Sequence, residues 1–283
     1  MTLQTMINKL KLAFSPCPND TFIFDAMVHH KIDTEDFDFE YSMADVEELN
    51  HAAFNFQPDI CKVSYHAYLH LVDKYVLLDS GSALGNEVGP LFISKNIINK
   101  EDIKFLKVAI PGKYTTAHLL LSMIYPEIKN KKELIFSKIE NAILNDEFDA
   151  GVIIHENRFT YQQRGLKLIA DLGKSWFQLS NQPIPLGGII IKRNLPETVK
   201  KSINRILKRS VEFAFENPDS AKNFISCNAQ EMSEEIMYRH IQLYVNEFSI
   251  DLGEKGKKAI TSLFEMAVEK KLINEFPQNS LFL

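Results

Sequence analysis

Cysteine is scarce in this 283-residue chain: Cys17, Cys61 and Cys227 are far apart, odd in number and never in a CxxC spacing. That pattern excludes a disulfide framework and a closely spaced zinc site, and it fits a reducing compartment. No apolar run reaches the roughly 18 to 20 residues that a membrane-crossing helix needs. The segment Met1 to Leu12 has a lysine pair but no apolar core, so no secretory leader is expected. Clustered basic charge is missing too. Lysine and arginine number 32 against 37 acidic residues, a formal net charge of -5. The single basic cluster, Lys129 to Lys132, is flanked by Glu127 and Glu133 and reads as a solvated loop. A nucleic-acid partner is therefore not expected, because phosphate neutralisation needs a basic surface. Nothing calls for an obligatory protein partner. A cytoplasmic globular protein is the expectation.

What is present is apolar content of 45%, enough for one large or two modest cores, with 24% charged residues arguing against disorder. Short apolar runs alternate with amphipathic stretches, the pattern of an α/β protein. Leu10–Phe14, Phe37–Tyr41, Asp59–Val63, Tyr75–Leu78 and Pro90–Ser94 read as strands. A helix is expected over Thr21–His29, capped by Asn19 or Asp20, and another over Asp45–Phe54 with Val46, Leu49 and Ala53 on one face. A second block follows: strands Leu106–Ile110, Glu133–Phe136 and Ala150–His155, with helices Thr116–Tyr125 and Ile139–Leu144. Gly187–Lys192 is the last strand, and the remainder reads as helix.

This order suggests two lobes with a ligand cleft between them, joined by crossings near Leu91–Lys95 and Gly188–Arg193. Residues 1–94 and 194–283 would form a discontinuous lobe with a helical tail, and 95–193 the second. A single doubly wound sheet accommodates the same order.

Ligands of open α/β sheets gather at the carboxyl ends of strands, so strand-turn-helix junctions carry the candidate chemistry. Ser15-Pro16-Cys17-Pro18-Asn19-Asp20 is one, although prolines and caps also make a structural turn. Lys62-Val63-Ser64 is the second: a helix start suits an anion, and a plain serine cap is the alternative. Pro111–Thr116 is the third, with Thr115 and Thr116 as ligand hydroxyls or caps; it lacks the spacing of a phosphate loop. The fourth is His155, closing an apolar strand. An imidazole there suits proton transfer near neutral pH, with a core or surface histidine as the alternative. Glu156 would point to the other face if the strand continued. Ser80–Gly85 lacks a dinucleotide spacing and reads as a loop. His66 and His70 have helical metal-pair spacing but no third ligand, so no metal is expected.

Longer strings go further. Ser15–Phe22 (SPCPNDTF), Lys62–Tyr65 (KVSY), Gly89–Leu91 (GPL), Pro111–Ala117 (PGKYTTA), Ile153–Glu156 (IIHE), Arg158–Tyr161 (RFTY), Pro185–Gly187 (PLG) and Tyr244–Leu252 (YVNEFSIDL) resemble those of the 1,4-dihydroxy-6-naphthoate synthase family of menaquinone biosynthesis. The resemblance runs in order through nearly the whole chain. It implies a type II periplasmic-binding-protein-like fold without export. The implied activity is a carbon–carbon lyase step of the futalosine pathway, on the anionic cyclic de-hypoxanthine futalosine, without metal or redox cofactor. It also implies His155 as catalytic base, with Lys62, Val63, Ser64, Thr115 and Thr116 contacting substrate. Rival readings are the related chorismate dehydratase and a non-catalytic solute-binding protein, which would require export.

Overall fold

The structure, a computed structural model, describes residues 9–229 and 233–283, save the side chain of Glu156. The first eight residues, on which the expectation of no leader partly rests, lie outside the described residues. The chain divides into two compact units: residues 1–84, 187–257 and 277–283 in the first, and 85–186 and 258–276 in the second.

In the first unit, β1 (Lys9–Phe14), β2 (Asp38–Met43), β3 (Ile60–Ser64) and β4 (Tyr75–Leu77) are interleaved with α1 (Pro18–Val28), α2 (Val46–Phe54) and α3 (Tyr65–Leu69). Sheet order is β2-β1-β3-β11-β4, where β11 is Ile184–Lys192 and also pairs with β5 (Ala83–Gly85). β1 runs parallel to β2 and β3, whereas β11 is antiparallel to β3 and places Gly187 opposite Ser64. The carboxyl ends of β1 and β3 thus share one edge of the sheet. Leu10, Leu12 and Phe14 alternate toward Phe22, Phe24 and Met27 of α1 in a buried cluster that also takes Ile203, Ile206, Leu207 and Val211. Those last four lie on α7 (Glu197–Glu216). Burial of each such side chain contributes about 1.5 to 3 kcal/mol. Ser210 fixes the register of the two helices, donating to the Ile23 carbonyl (2.6 Å) and accepting from Met27 N–H (3.1 Å).

The second unit holds β6 (Leu91–Ser94), β7 (Val108–Ile110), β8 (Lys131–Glu133), β9 (Ala150–Ile153) and β10 (Lys167–Asp171), in the order β10-β6-β9-β7-β8. Its helices include α4 (Thr116–Ile124), α5 (Ile139–Leu144) and α6 (Leu172–Ser180). Leu91, Ile93, Ala109, Ile139, Ile143, Ile153, Tyr161 and Leu166 form its apolar cluster. In the carboxy-terminal part come α8 (Lys222–Asn228), α9 (Glu234–Tyr244), α10 (Glu247–Ile250) and α11 (Gly253–Glu269).

The sequence places its boundaries after residues 94 and 193, but the units divide after 84 and 186, and 258–276 falls in the second. The reason is strand pairing. Leu91–Ser94 is fully engaged with β9 and β10, and Gly187–Lys192 with β3 and β4. The basic cluster is a loop only in its first half: Lys129 lies outside the strands, whereas Lys131 and Lys132 lie in β8 at the sheet edge, paired with β7, a position where lysine discourages further strand addition. No helix among the described residues is long and apolar enough to cross a membrane.

Candidate active site

At the carboxyl edge of the first sheet, α1 begins at Pro18, with Cys17 as a cap lacking a side-chain bond. Asn19 and Asp20 are therefore inside the first turn rather than caps, because proline pre-sets the first helical position. Asp20 is buried and fully used. One carboxylate oxygen accepts from Ser15 N–H (3.1 Å) and Ser15 O–H (2.7 Å), and the other lies 3.0 Å from Lys62 Nζ. Lys62 also donates to the Gly81 carbonyl at 3.3 Å. Gly187 leaves room for this lysine, since a Cβ there would lie 2.8 Å from the Val63 carbonyl oxygen and 3.3 Å from Lys62 Cε. The Gly81 turn, read as a plain loop, is knitted to the Tyr244–Leu252 string. Gly81 N–H donates to Ser249 O (2.8 Å), Ser249 O–H to Ser82 O (2.8 Å) and Asn246 Nδ2 to Leu84 O (2.8 Å).

The plain serine cap, one of the two readings of Ser64, does not form, and α3 has only five residues. The Ser64 backbone N–H donates to Asn50 Oδ1 at 3.0 Å, while Asn50 Nδ2 donates to Ser64 Oγ (3.4 Å) and Glu47 Oε2 (2.8 Å). What Ser64 retains is its hydroxyl hydrogen. Val63 is buried in β3, opposite Gly188 of β11. Burial pushes the neighbouring Cys61 thiol up, so it stays protonated and is no nucleophile. The His66 and His70 rings lie 5.6 Å apart between centroids.

In the second unit Thr115 is the cap of α4. Its hydroxyl donates to Gly112 O (2.8 Å) and accepts from His118 N–H (3.3 Å). Thr116 donates its hydroxyl to Leu186 O at 2.6 Å. Both threonines are buried, with their hydroxyl hydrogens committed to the Gly112 and Leu186 carbonyls.

β9 stops at Ile153, two residues earlier than its sequence suggests. His155 follows in the left-handed region, at φ 58°, and opens a single 3₁₀ turn over His155–Phe159. The alternation argument about Glu156 lapses, because the strand has ended; its side chain lies outside the described residues. A left-handed non-glycine residue costs conformational energy and persists only where its surroundings over-determine it. Here they do. The His155 ring packs edge-on against Phe136, with centroids 4.8 Å apart. Asn157 Nδ2 donates to Glu140 Oε2 (2.8 Å), which also takes Arg164 (2.6 Å). Arg158 reaches Gly89 O (2.8 Å) and Asp171 (2.9 Å), and Asp171 in turn caps α6 through Gly173 and Lys174 N–H. Gly89 and Gly173 pack backbone to backbone, and a Cβ on Gly173 would lie 2.4 Å from Gly89 N. The GPL and RFTY strings therefore brace the histidine turn.

Asn50, Glu140, Asn157 and Asp171 were not singled out from sequence. Asn50 alone left a signal, because it lies on the Val46–Leu49–Ala53 stripe, where a polar residue among core positions demands a partner.

A family model described as "Menaquinone biosynthesis" matches residues 10–269. A 1,4-dihydroxy-6-naphthoate synthase from Thermus thermophilus is 40% identical over 269 residues, covering 95% of this chain and 97% of the relative. A crystal structure of a protein from Archaeoglobus fulgidus superposes with a TM-score of 0.90 at 36% identity, covering 95% of this chain and all of that one. A Candida albicans protein described as having the generic periplasmic binding protein fold superposes at 0.65 with 14% identity, covering 97% and 98%; it shows the fold alone. The fold is thus the two-lobed periplasmic-binding-protein type, and the chain belongs to the menaquinone-biosynthesis family as an enzyme akin to 1,4-dihydroxy-6-naphthoate synthase along nearly its whole length.

Proposed function

We propose that the enzyme converts cyclic de-hypoxanthine futalosine to 1,4-dihydroxy-6-naphthoate with His155 as general base. The observation that supports this most is the braced left-handed turn: the imidazole packs on Phe136 at the carboxyl end of β9, and the turn that carries it is tied down through Asn157–Glu140 and Arg158–Gly89. Fragmentation with ring aromatisation requires a proton to leave carbon, and neutral imidazole suits that task near pH 7.

The other roles follow from the polar groups that the strand ends carry. Lys62 carries three N–H donors, of which Asp20 and Gly81 occupy two; the third would meet the substrate carboxylate, together with the Ser64 hydroxyl. Val63 would contribute backbone only. Thr115 and Thr116, at the start of α4, would contact the sugar-derived oxygens of the substrate. The cytoplasm is the expected location, in keeping with Cys17, Cys61 and Cys227 all being free thiols.

The test is incubation of the purified enzyme with cyclic de-hypoxanthine futalosine, and separately with chorismate, following product by chromatography. His155→Asn is the informative variant, since asparagine tolerates the left-handed conformation but accepts no proton from carbon. It should lower kcat by about 10² to 10⁴ while melting like the wild type. Near-normal turnover by folded H155N removes His155 as base, and turnover of chorismate alone replaces the substrate.

A further inference from the structure

The Asn19 side chain is only 8% exposed, yet its Oδ1 is buried without a hydrogen-bond partner among the described residues. Buried polar atoms in native proteins are satisfied almost without exception, so an orphan calls for a cause. The hydroxyls close to it in sequence are spent elsewhere. Ser15 gives both its N–H and its O–H to Asp20, and Thr21 gives its hydroxyl to the Cys17 and Pro18 carbonyls. Asn19 also has no capping task, because Cys17 occupies the cap position and α1 is already under way. The fold thus shelters an amide oxygen from water and leaves it unpartnered, one residue before the Asp20 of the ion pair with Lys62.

We propose that Asn19 is a further substrate-binding residue, whose amide pairs with a hydroxyl of the substrate's polyhydroxylated, sugar-derived portion. An amide offers one acceptor and one donor face, and a hydroxyl is the small group that answers both. A carboxylate would satisfy only the N–H side and leave Oδ1 orphaned, so the anionic end of the substrate belongs to Lys62 and Ser64 instead. The assignment rests on the reaction proposed above.

The test measures kcat, KM and melting temperature for the wild type, Asn19→Ala and the shape-preserving Asn19→Leu. Loss of one neutral hydrogen bond should raise KM about tenfold, with melting unchanged or slightly higher in N19L because a buried orphan has been removed. A structural asparagine predicts the reverse, a lower melting point with normal KM in the folded fraction. Unchanged KM in folded variants, or failure of both variants to fold, overturns the assignment while leaving the reaction intact. Absence of wild-type turnover removes the reaction itself, and the Asn19 assignment with it.

Discussion

Asp20 Oδ1 lies 3.0 Å from Lys62 Nζ, with both side chains nearly excluded from solvent, so this lysine has shared its charge before any substrate arrives. The pair is a strut between α1 and β3 as well as a binding element. Lys62→Met should therefore strand the Asp20 carboxylate and cost about 3 to 5 kcal/mol, the usual penalty for breaking a buried pair. The double variant K62M/D20N should recover most of that loss without recovering substrate affinity. Urea unfolding of both, with the D20N single variant closing the cycle, measures the coupling. A K62M variant as stable as wild type would show that the pair does not brace the fold.

Asn157 acts on His155 from two residues away, by tying the turn to Glu140. Asn157→Ala should lower kcat by about 10- to 100-fold through misplacement of the imidazole, with KM little changed. Asn157→Asp should be worse, because it sets a second carboxylate against Glu140. Steady-state kinetics beside melting curves separate positioning from instability. Unaltered kcat in N157A would sever the link.

Burial pushes the His118 imidazole below its ordinary value of 6.5, against the favourable contact with the Lys113 carbonyl. Above about pH 6.5 folded and unfolded chains carry the same neutral ring. Below it the unfolded chain takes up the proton first, so stability falls with pH until the native ring also titrates. The wild type should therefore lose more stability between pH 7.5 and 5 than His118→Asn does. Urea midpoints at the two pH values read the difference, and equal losses would exclude His118 as the cause.

The regular elements were legible because their patterns are local. The 3.6-residue stripe of α2, the alternation in β1 and the apolar run of β9 each show in consecutive residues. The pair β10 and α6 was not read at all. Lys167-Leu168-Ile169-Ala170-Asp171 is an edge strand with exposed positions, and its only sequence neighbour of note, Trp176, is buried. The site divides the same way. That Ser64, Thr115 and His155 stand at strand ends is a local fact, visible in composition. What each atom does is not, since Ser64 meets Asn50 and Lys62 meets Asp20 across long sequence separations set by strand register. Thr115 could be read as a cap or a ligand hydroxyl, and only the bond to His118 N–H shows that it caps.

The position of β11 between β3 and β4 has a consequence for how the protein is made. β3 ends at Ser64 and its inner partner begins at Ile184, so at about 5 to 20 residues per second the ribosome leaves that strand edge open for roughly 6 to 25 s. The strands of the second sheet, all between Leu91 and Asp171, emerge meanwhile and find one another first. The first sheet closes last although its strands are synthesised first. During that interval β3 offers an apolar, unpaired ladder to any other extended chain, and the newborn enzyme's exposure to aggregation is set by topology rather than by the stability of the finished fold.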